Sequence, residues 1–271
     1  MMRKAMTALM MVGAMAAAAS ANVLMSDDFD SYNQGNLVPQ DAWAAHSGAG
    51  NKPVQVVPGE DCFCQADPSD VNCIELVQSG GSGEDVNKPI GQTMGAGDIW
   101  YAGFCVKVDG TTPLTADDYF AHFKTSGTYY GGKVFVAPFN GSDYTFGFQA
   151  AGGGDDAEVL WQSGFEFGSC HRVVVSYEFD TGCGQMWVDP DCDLGPGENY
   201  CVSNTGYTGN AFVAWAFRQA SDVTCTQDVD NVLVSTSWTD ACCNCVPEPA
   251  TVGLLMLGSV PLLLQRRRQG S

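Results

Sequence analysis

A chain of 271 residues with 31 acidic and only 12 basic side chains carries a formal charge of −19. Such a field repels phosphates and anionic headgroups, which excludes nucleic acid and anionic lipid surfaces as partners. The composition is 45% hydrophobic with 32 glycines and 12 cysteines, enough apolar material for one sizeable core or a large single β domain.

From the amino terminus, Arg3 and Lys4 precede the apolar run Ala5 to Ala18 and then Ala19-Ser20-Ala21. A positive n-region, an apolar h-region and a small-residue triplet are the parts of a secretory signal peptide. They predict recognition by the Sec export machinery and cleavage between Ala21 and Asn22. Residues 1–21 are therefore the signal peptide, 22–241 the folded domain and 242–271 a C-terminal signal. Removing both signals leaves 7 basic residues against nearly all the acidic ones, about −24 for the exported part.

The domain has almost no helical periodicity. Short runs rich in β-branched and aromatic residues alternate with Gly, Asp, Asn and Pro. These runs are Val54–Val57, Ile74–Gln78, Ile99–Val108, Tyr119–Lys124, Lys133–Ala137, Tyr144–Gln149, His171–Phe179, Gln185–Val188, Ala211–Arg218 and Val229–Thr236. Ten or more strands at this spacing predict a single antiparallel β-sandwich. Within His171–Phe179, alternation puts Val173, Val175, Tyr177 and Phe179 on one face. Arg172, Ser176 and Glu178 fall on the other, which predicts one buried and one wet face. Phe104, Val106 and Val108 form a matching set, with Lys107 outside.

An even number of cysteines in an exported chain reads as disulfides. Cys62, Cys64 and Cys73 lie in or beside a polar stretch, and Cys183, Cys192 and Cys201 recur at nine-residue steps. Cys242, Cys243 and Cys245 precede the tail. Loop stapling is the expected role, with the pairing open.

The tail begins with Val246-Pro247-Glu248-Pro249, continues as the uncharged apolar run 250–264, and ends with Arg266, Arg267 and Arg268. The prolines hold the tetrapeptide extended. The apolar run partitions into lipid, and the arginines stay cytoplasmic. Fifteen apolar residues containing Gly253, Gly258 and Pro261 fall short of the ~20 a permanent span needs. A short hydrophobic helix is expected there. In motif, order and position this tail resembles the PEP-CTERM sorting signal of bacterial envelope proteins. The resemblance implies processing by an exosortase transpeptidase and an inner-membrane intermediate. It also implies delivery to the cell surface or extracellular matrix of a Gram-negative-type bacterium.

A second resemblance spans about Met25 to Ser235. Asp27-Asp28-Phe29-Asp30-Ser31-Tyr32 and Trp43-Ala44-Ala45-His46-Ser47-Gly48 are similar to the start of concanavalin A-like, or laminin-G-like, jelly-roll domains. Val229-Asp230-Asn231-Val232-Leu233-Val234 resembles their last strand, and between them Gln185-Met186-Trp187-Val188-Asp189 resembles their strand at a small bent sheet edge. The likeness implies that the first and last strands lie side by side, where a structural calcium held by Asp28, Asp30 and Asp230 would tie the chain ends. Calcium wants six to eight oxygens, and the acidic loop Gly152 to Asp156 is a second candidate. Some glycosidases of this fold carry Glu-x-Asp-x-x-Glu on one strand. Here Glu178-Phe179-Asp180-Thr181-Gly182-Cys183 lacks the last carboxylate, and no Gly-x-Ser-x-Gly elbow is present. His46, His122 and His171 are scattered, without metal-ligand spacing. The expectation is a non-enzymatic protein. Lectin-type polysaccharide binding is the natural function of the architecture, with Tyr129 and Tyr130, in a Gly/Thr/Ser-rich segment, as the stacking platform. A carbohydrate-active hydrolase or lyase with an unrecognised carboxylate pair, or a purely structural coat, are the alternatives.

Overall fold

The computed structural model describes residues 23–243, apart from 60–71, 79, 80, 82, 111, 112 and 220–222. The signal peptide and its Ala21–Asn22 junction, the 246–249 motif, the apolar segment 250–264 and Arg266–Arg268 lie outside the described residues, as do Cys62, Cys64 and Cys245. The strands are β1 (Val23–Asp27), β2 (Gly35–Asn36), β3 (Ala44–Ser47), β4 (Gln55–Pro58), β5 (Asn72–Val77), β6 (Asp85–Pro89), β7 (Ile99–Asp109) and β8 (Asp118–Thr125). They continue as β9 (Tyr130–Phe139), β10 (Asp143–Ala151), β11 (Val159–Leu160), β12 (Cys170–Glu178), β13 (Cys183–Val188), β14 (Val202–Thr205), β15 (Phe212–Phe217) and β16 (Thr226–Ser235). Among the described residues the one α-helix, α1 (Trp238–Cys242), stops before the apolar tail, and no helix is long and apolar enough to cross a membrane.

Two antiparallel sheets face each other. The nine-stranded sheet runs β14-β13-β12-β7-β16-β5-β4-β2, with β1 also on β16. The seven-stranded sheet runs β11-β10-β9-β8-β15-β6-β3. The first and last strands are neighbours, with Met25 opposite Val234 and Asp27 opposite Val232. Between the sheets the period-2 faces interlock. Phe104, Val106, Val108, Val173, Val175 and Tyr177 meet Phe123, Val134, Phe146, Phe148, Trp215 and Phe217 in one cluster. Each such side chain contributes roughly 1.5–3 kcal/mol by leaving water. The Asn140-Gly141 turn joins β9 to β10 with φ of 32° and 84°, the positive-φ pair that Asn-Gly favours.

The outer face of the nine-stranded sheet is not wet as alternation predicts. Arg172 and Ser176 are buried, and Val174 joins Trp187, Leu233, Trp238, Ala241 and Cys242 in a second cluster. Helix α1 and the connection after β13 cover this face. The Trp187 indole donates to Pro196 O at 3.1 Å and the Trp238 indole to Leu194 O at 2.9 Å. Lys107, expected outside, is buried and paired with Asp109 at 2.8 Å and Asp228 at 3.4 Å. Burial pushes the Asp228 carboxyl up to about 6, with Lys107 opposing the shift. Alternation reports which side a residue takes, not whether a later segment returns to cover it.

Disulfide stapling holds for part of the cysteine set. Cys192 and Cys242 are bonded, closing a separation of 50 residues, and Cys170 is also disulfide-bonded. Cys183, Cys201, Cys225 and Cys243 are thiols. Burial pushes the Cys225 thiol up to about 12, and Gln227 Nε2 donates to its sulfur at 3.0 Å.

Candidate functional site

The outer face of the seven-stranded sheet is the second surface the fold offers. Two register shifts in the β8–β9 pairing, between Tyr119/Ala121 and Ala121/Phe123, let Tyr119 and His122 share this face. Local bulges re-aim side chains in this way. Tyr119 packs on Phe135 with ring centroids 5.6 Å apart. The Lys133 ammonium lies 4.7 Å and the Arg218 guanidinium 4.3 Å from its centroid, within cation–π range. Arg218 pairs with Asp118. The middle of the face is closed, because His122, Lys133, Thr145 and Gln149 are all buried.

One end of that sheet is open. The β8–β9 hairpin is a tight turn rather than a flexible loop, since Thr125 Oγ1 accepts from the amides of Gly127 at 3.2 Å and Tyr129 at 3.3 Å. Tyr129 stands 64% exposed at its tip. Tyr130 is half-buried on the His122 ring, 4.5 Å between centroids, so the two expected platform residues take different roles. Gly131 pairs with Ala151. The acidic Gly152–Asp156 segment therefore leaves β10 beside this hairpin. Lys133 Nζ holds it by donating to Gly152 O at 3.1 Å and Gly154 O at 2.7 Å. Burial lowers the Lys133 ammonium to about 8, with Asp155 opposing.

The 205–207 segment completes this end. A side chain at Gly206 would overlap the backbone of Ala151, so only glycine permits the approach. The Tyr207 carbonyl accepts from Asn210 Nδ2 at 3.2 Å and from the Tyr177 hydroxyl. The Tyr207 ring stays 62% exposed. Between the segments lies a cleft of about 560 Å³ lined by Gln149, Gly152, Gly153, Asp156, Glu158 and Tyr207 among others. Glu158 accepts from Gln149 Nε2 at 3.0 Å and from Asn204 Nδ2. Gln149 Oε1 is buried without a partner. A pinned backbone, an exposed aromatic face and convergent acceptors form a place for a hydroxyl-rich ligand. The sequence reading missed Tyr207, Glu158 and Lys133. Thr205-Gly206-Tyr207-Thr208-Gly209 repeats the Gly/Thr/Tyr composition that singled out Tyr129, so that signal was present.

The calcium residues do not converge. Asp28 is exposed and accepts from the Asp30 amide at 3.3 Å. Asp30 accepts from the Asn72 amide at 3.2 Å. Asp230 is buried and accepts from the amide and side chain of Asn231 at 2.6 and 3.0 Å. Among the described residues the one set of three clustered ligand atoms belongs to Cys192, Cys242 and Cys243. The aspartate that organises the opening segment is Asp27. It accepts from Tyr32 at 2.6 Å, Trp43 at 2.7 Å and Lys88 at 2.8 Å.

Glu178 and Asp180 sit in the β12–β13 turn. They accept from Thr181 Oγ1 at 2.6 Å and from the Gly97 amide at 2.9 Å, as the turn composition predicts. His171 stands between Ser169 Oγ at 2.9 Å and Asp189 Oδ2 at 2.7 Å, the order of a nucleophile, base and orienter. The Ser169 hydroxyl is nevertheless committed to Glu166 O at 2.5 Å, and Asp189 also accepts from the Arg172 amide at 2.8 Å. The trio is a latch between the start of β12 and the end of β13.

The sheet topology defines an antiparallel β-sandwich of a nine-stranded and a seven-stranded sheet. No protein-family model and no curated protein matches the chain. Among solved structures it is similar to the Emp47p carbohydrate recognition domain, at 10% identity and TM-score 0.47, covering 80% of this chain and 97% of that one. Lectin II from Ulex europaeus aligns at 9% identity and TM-score 0.45, covering 79% and 99%. A carbohydrate esterase from Shiga toxin-encoding bacteriophage phi24B aligns at 12% and 0.49, covering 79% and 98%. At such identities and scores the likeness carries no functional information.

Proposed function

We propose that this is an exported surface or matrix protein that binds polysaccharide at the open end of its seven-stranded sheet. The observation that carries the reading is the cleft between the Gly152–Glu158 and Thr205–Tyr207 segments. Tyr207 on its wall stacks a pyranose face, while Asp156 and the glycine backbone receive hydroxyls. Tyr129, on the neighbouring hairpin, extends the platform for a polymer. Calcium between the chain ends is not part of this reading, because Asp28, Asp30 and Asp230 each serve other partners. Export rests on the two terminal signals. After Sec-dependent cleavage at Ala21–Asn22, an exosortase-type enzyme takes the Val246–Pro249 motif while 250–264 rests in the inner membrane and Arg266–Arg268 stay inside.

Glycan-array and affinity-electrophoresis measurements test the binding. Tyr207→Ala is expected to weaken retention by about tenfold, or 1.4 kcal/mol, and Tyr129→Ala by less. A wild-type protein silent on every glycan would overturn the reading. A second reading, a coat protein without ligand, is favoured by the closed centre of the sheet, where His122 and Lys133 are buried. It predicts that silence.

A further inference from the structure

The Cys192–Cys242 disulfide has a third sulfur beside it. The Sγ atoms of Cys192, Cys242 and Cys243 all lie within 4.8 Å of one another, and the Cys243 Sγ is 3.7 Å from Cys192 O. Two elements converge to put it there. Ser237 caps α1, with Oγ accepting from the Asp240 amide at 3.4 Å, and the Cys243 amide donates to Thr239 O at 2.9 Å at the other end. The 190–199 connection is pinned on α1 through Trp238 and Leu194, so both partners sit on ordered backbone.

We infer that these three cysteines form a thiol–disulfide exchange site, in which Cys243 attacks the bridge and moves it from Cys192–Cys242 to Cys192–Cys243. The step balances without an external oxidant or reductant. The Cys243 thiolate forms a bond to Cys192 Sγ as the Cys192–Cys242 bond breaks. The electron pair leaves on Cys242 Sγ, which takes up the proton that Cys243 gave away. Attack on Cys242 itself is disfavoured, because consecutive Cα atoms stand about 3.8 Å apart, below the usual range for a bridge. The present Cys192–Cys242 Cα separation is 5.5 Å.

The surroundings set the pace. Burial, together with Asp193, Asp240 and Asp191, raises the Cys243 thiol, and Arg172 opposes them. Thiolate is scarce at neutral pH, so exchange is slow there and accelerates as pH rises. The site closes the last described turn of the domain, three residues before the 246–249 motif. Migration of the bridge shifts by one residue the point at which the tail leaves the fold.

Disulfide mapping on the full-length oxidised protein decides it. The sample is held at pH 9, quenched in acid, alkylated and digested. Both Cys242 and Cys243 are expected as alkylated peptides, Cys242 in at least about one chain in ten. In Cys242→Ser a Cys192–Cys243 bridge is expected, and in Cys243→Ser the Cys192–Cys242 bridge with no migration. Alkyl label confined to Cys243 in the wild type would overturn the inference. So would Cys192 recovered as a thiol, or bridged to Cys245, in Cys242→Ser. The wild-type map stands alone where a variant does not fold.

Discussion

Asp27 shows how much one side chain organises. Its carboxylate gathers the Tyr32 hydroxyl, the Trp43 indole and the Lys88 ammonium in a nearly dry site. Burial alone would lower the Lys88 ammonium, but Asp27 and Asp41 outweigh it and raise it. Asp27→Ala leaves the indole and much of the lysine charge without an acceptor, at an expected cost of about 3 kcal/mol by urea unfolding. Asp41, two-thirds exposed on its side chain, compensates in part. His122 works in the opposite sense. It is fully buried, its Nε2 has no partner, and burial holds its ring well below the ordinary histidine value. Half-buried His46, 6.3 Å away between centroids, is lowered too, again by burial. The unfolded chain therefore takes up protons near pH 6.5 that the folded chain refuses. Stability falls as pH drops below about 6.5, by up to about 1.4 kcal/mol per unit for each ring. In His122→Phe, urea midpoints at pH 7, 6 and 5 are expected to decline less steeply than in the wild type. Parallel declines would remove His122 from the acid limb.

Elements differ in how far their own residues announce them. Helix α1 docks on β7 only because Gly103 has no side chain: a Cβ there would overlap Ala241 O and approach Arg172 Nη2 at 2.5 Å. Arg172 also donates to that carbonyl. Gly103→Ala is expected to lift α1 while leaving the sandwich intact, read as lost hydrogen-exchange protection confined to residues 238–243. If protection there persists, the helix is held by Trp238 and the disulfide instead. All ten strands named from their apolar runs are present, because each has a face in the main core. β6 was not legible. Its Asp85-Val86-Asn87-Lys88-Pro89 carries one apolar residue for the core, Val86, and its place as a strand comes from pairing with β15 and β3 and from Lys88 reaching Asp27, 61 residues earlier. β14, Val202-Ser203-Asn204-Thr205, is an edge strand with one buried residue, too polar to stand out. The site was half legible for the same reason. Tyr129 carries its signal in its own loop. The cleft depends on Gly206 meeting Ala151 and on Lys133 holding the glycine backbone, contacts between segments that no local pattern records.

At the scale of the molecule, charge constrains what the cleft accepts. The chain is strongly acidic, and the site adds Asp155, Asp156 and Glu158, while the nearby Lys133 ammonium is buried against backbone carbonyls. Nothing in this arrangement presents an exposed cation to a carboxylated or sulfated polymer. The field acts against such a ligand over a Debye length of about 10 Å at 0.1 M salt. A neutral polysaccharide meets no such field, and its affinity comes from stacking and hydroxyl contacts that salt does not screen. Affinity electrophoresis on neutral polymers should therefore vary by less than about twofold between roughly 20 and 500 mM salt. Retention on anionic polymers should be absent at low salt and rise, if at all, as salt screens the repulsion. The reverse outcome, tight binding of an anionic polymer at low salt that fades with added salt, would require a cationic surface. That surface would then have to lie outside the cleft assigned to Tyr207.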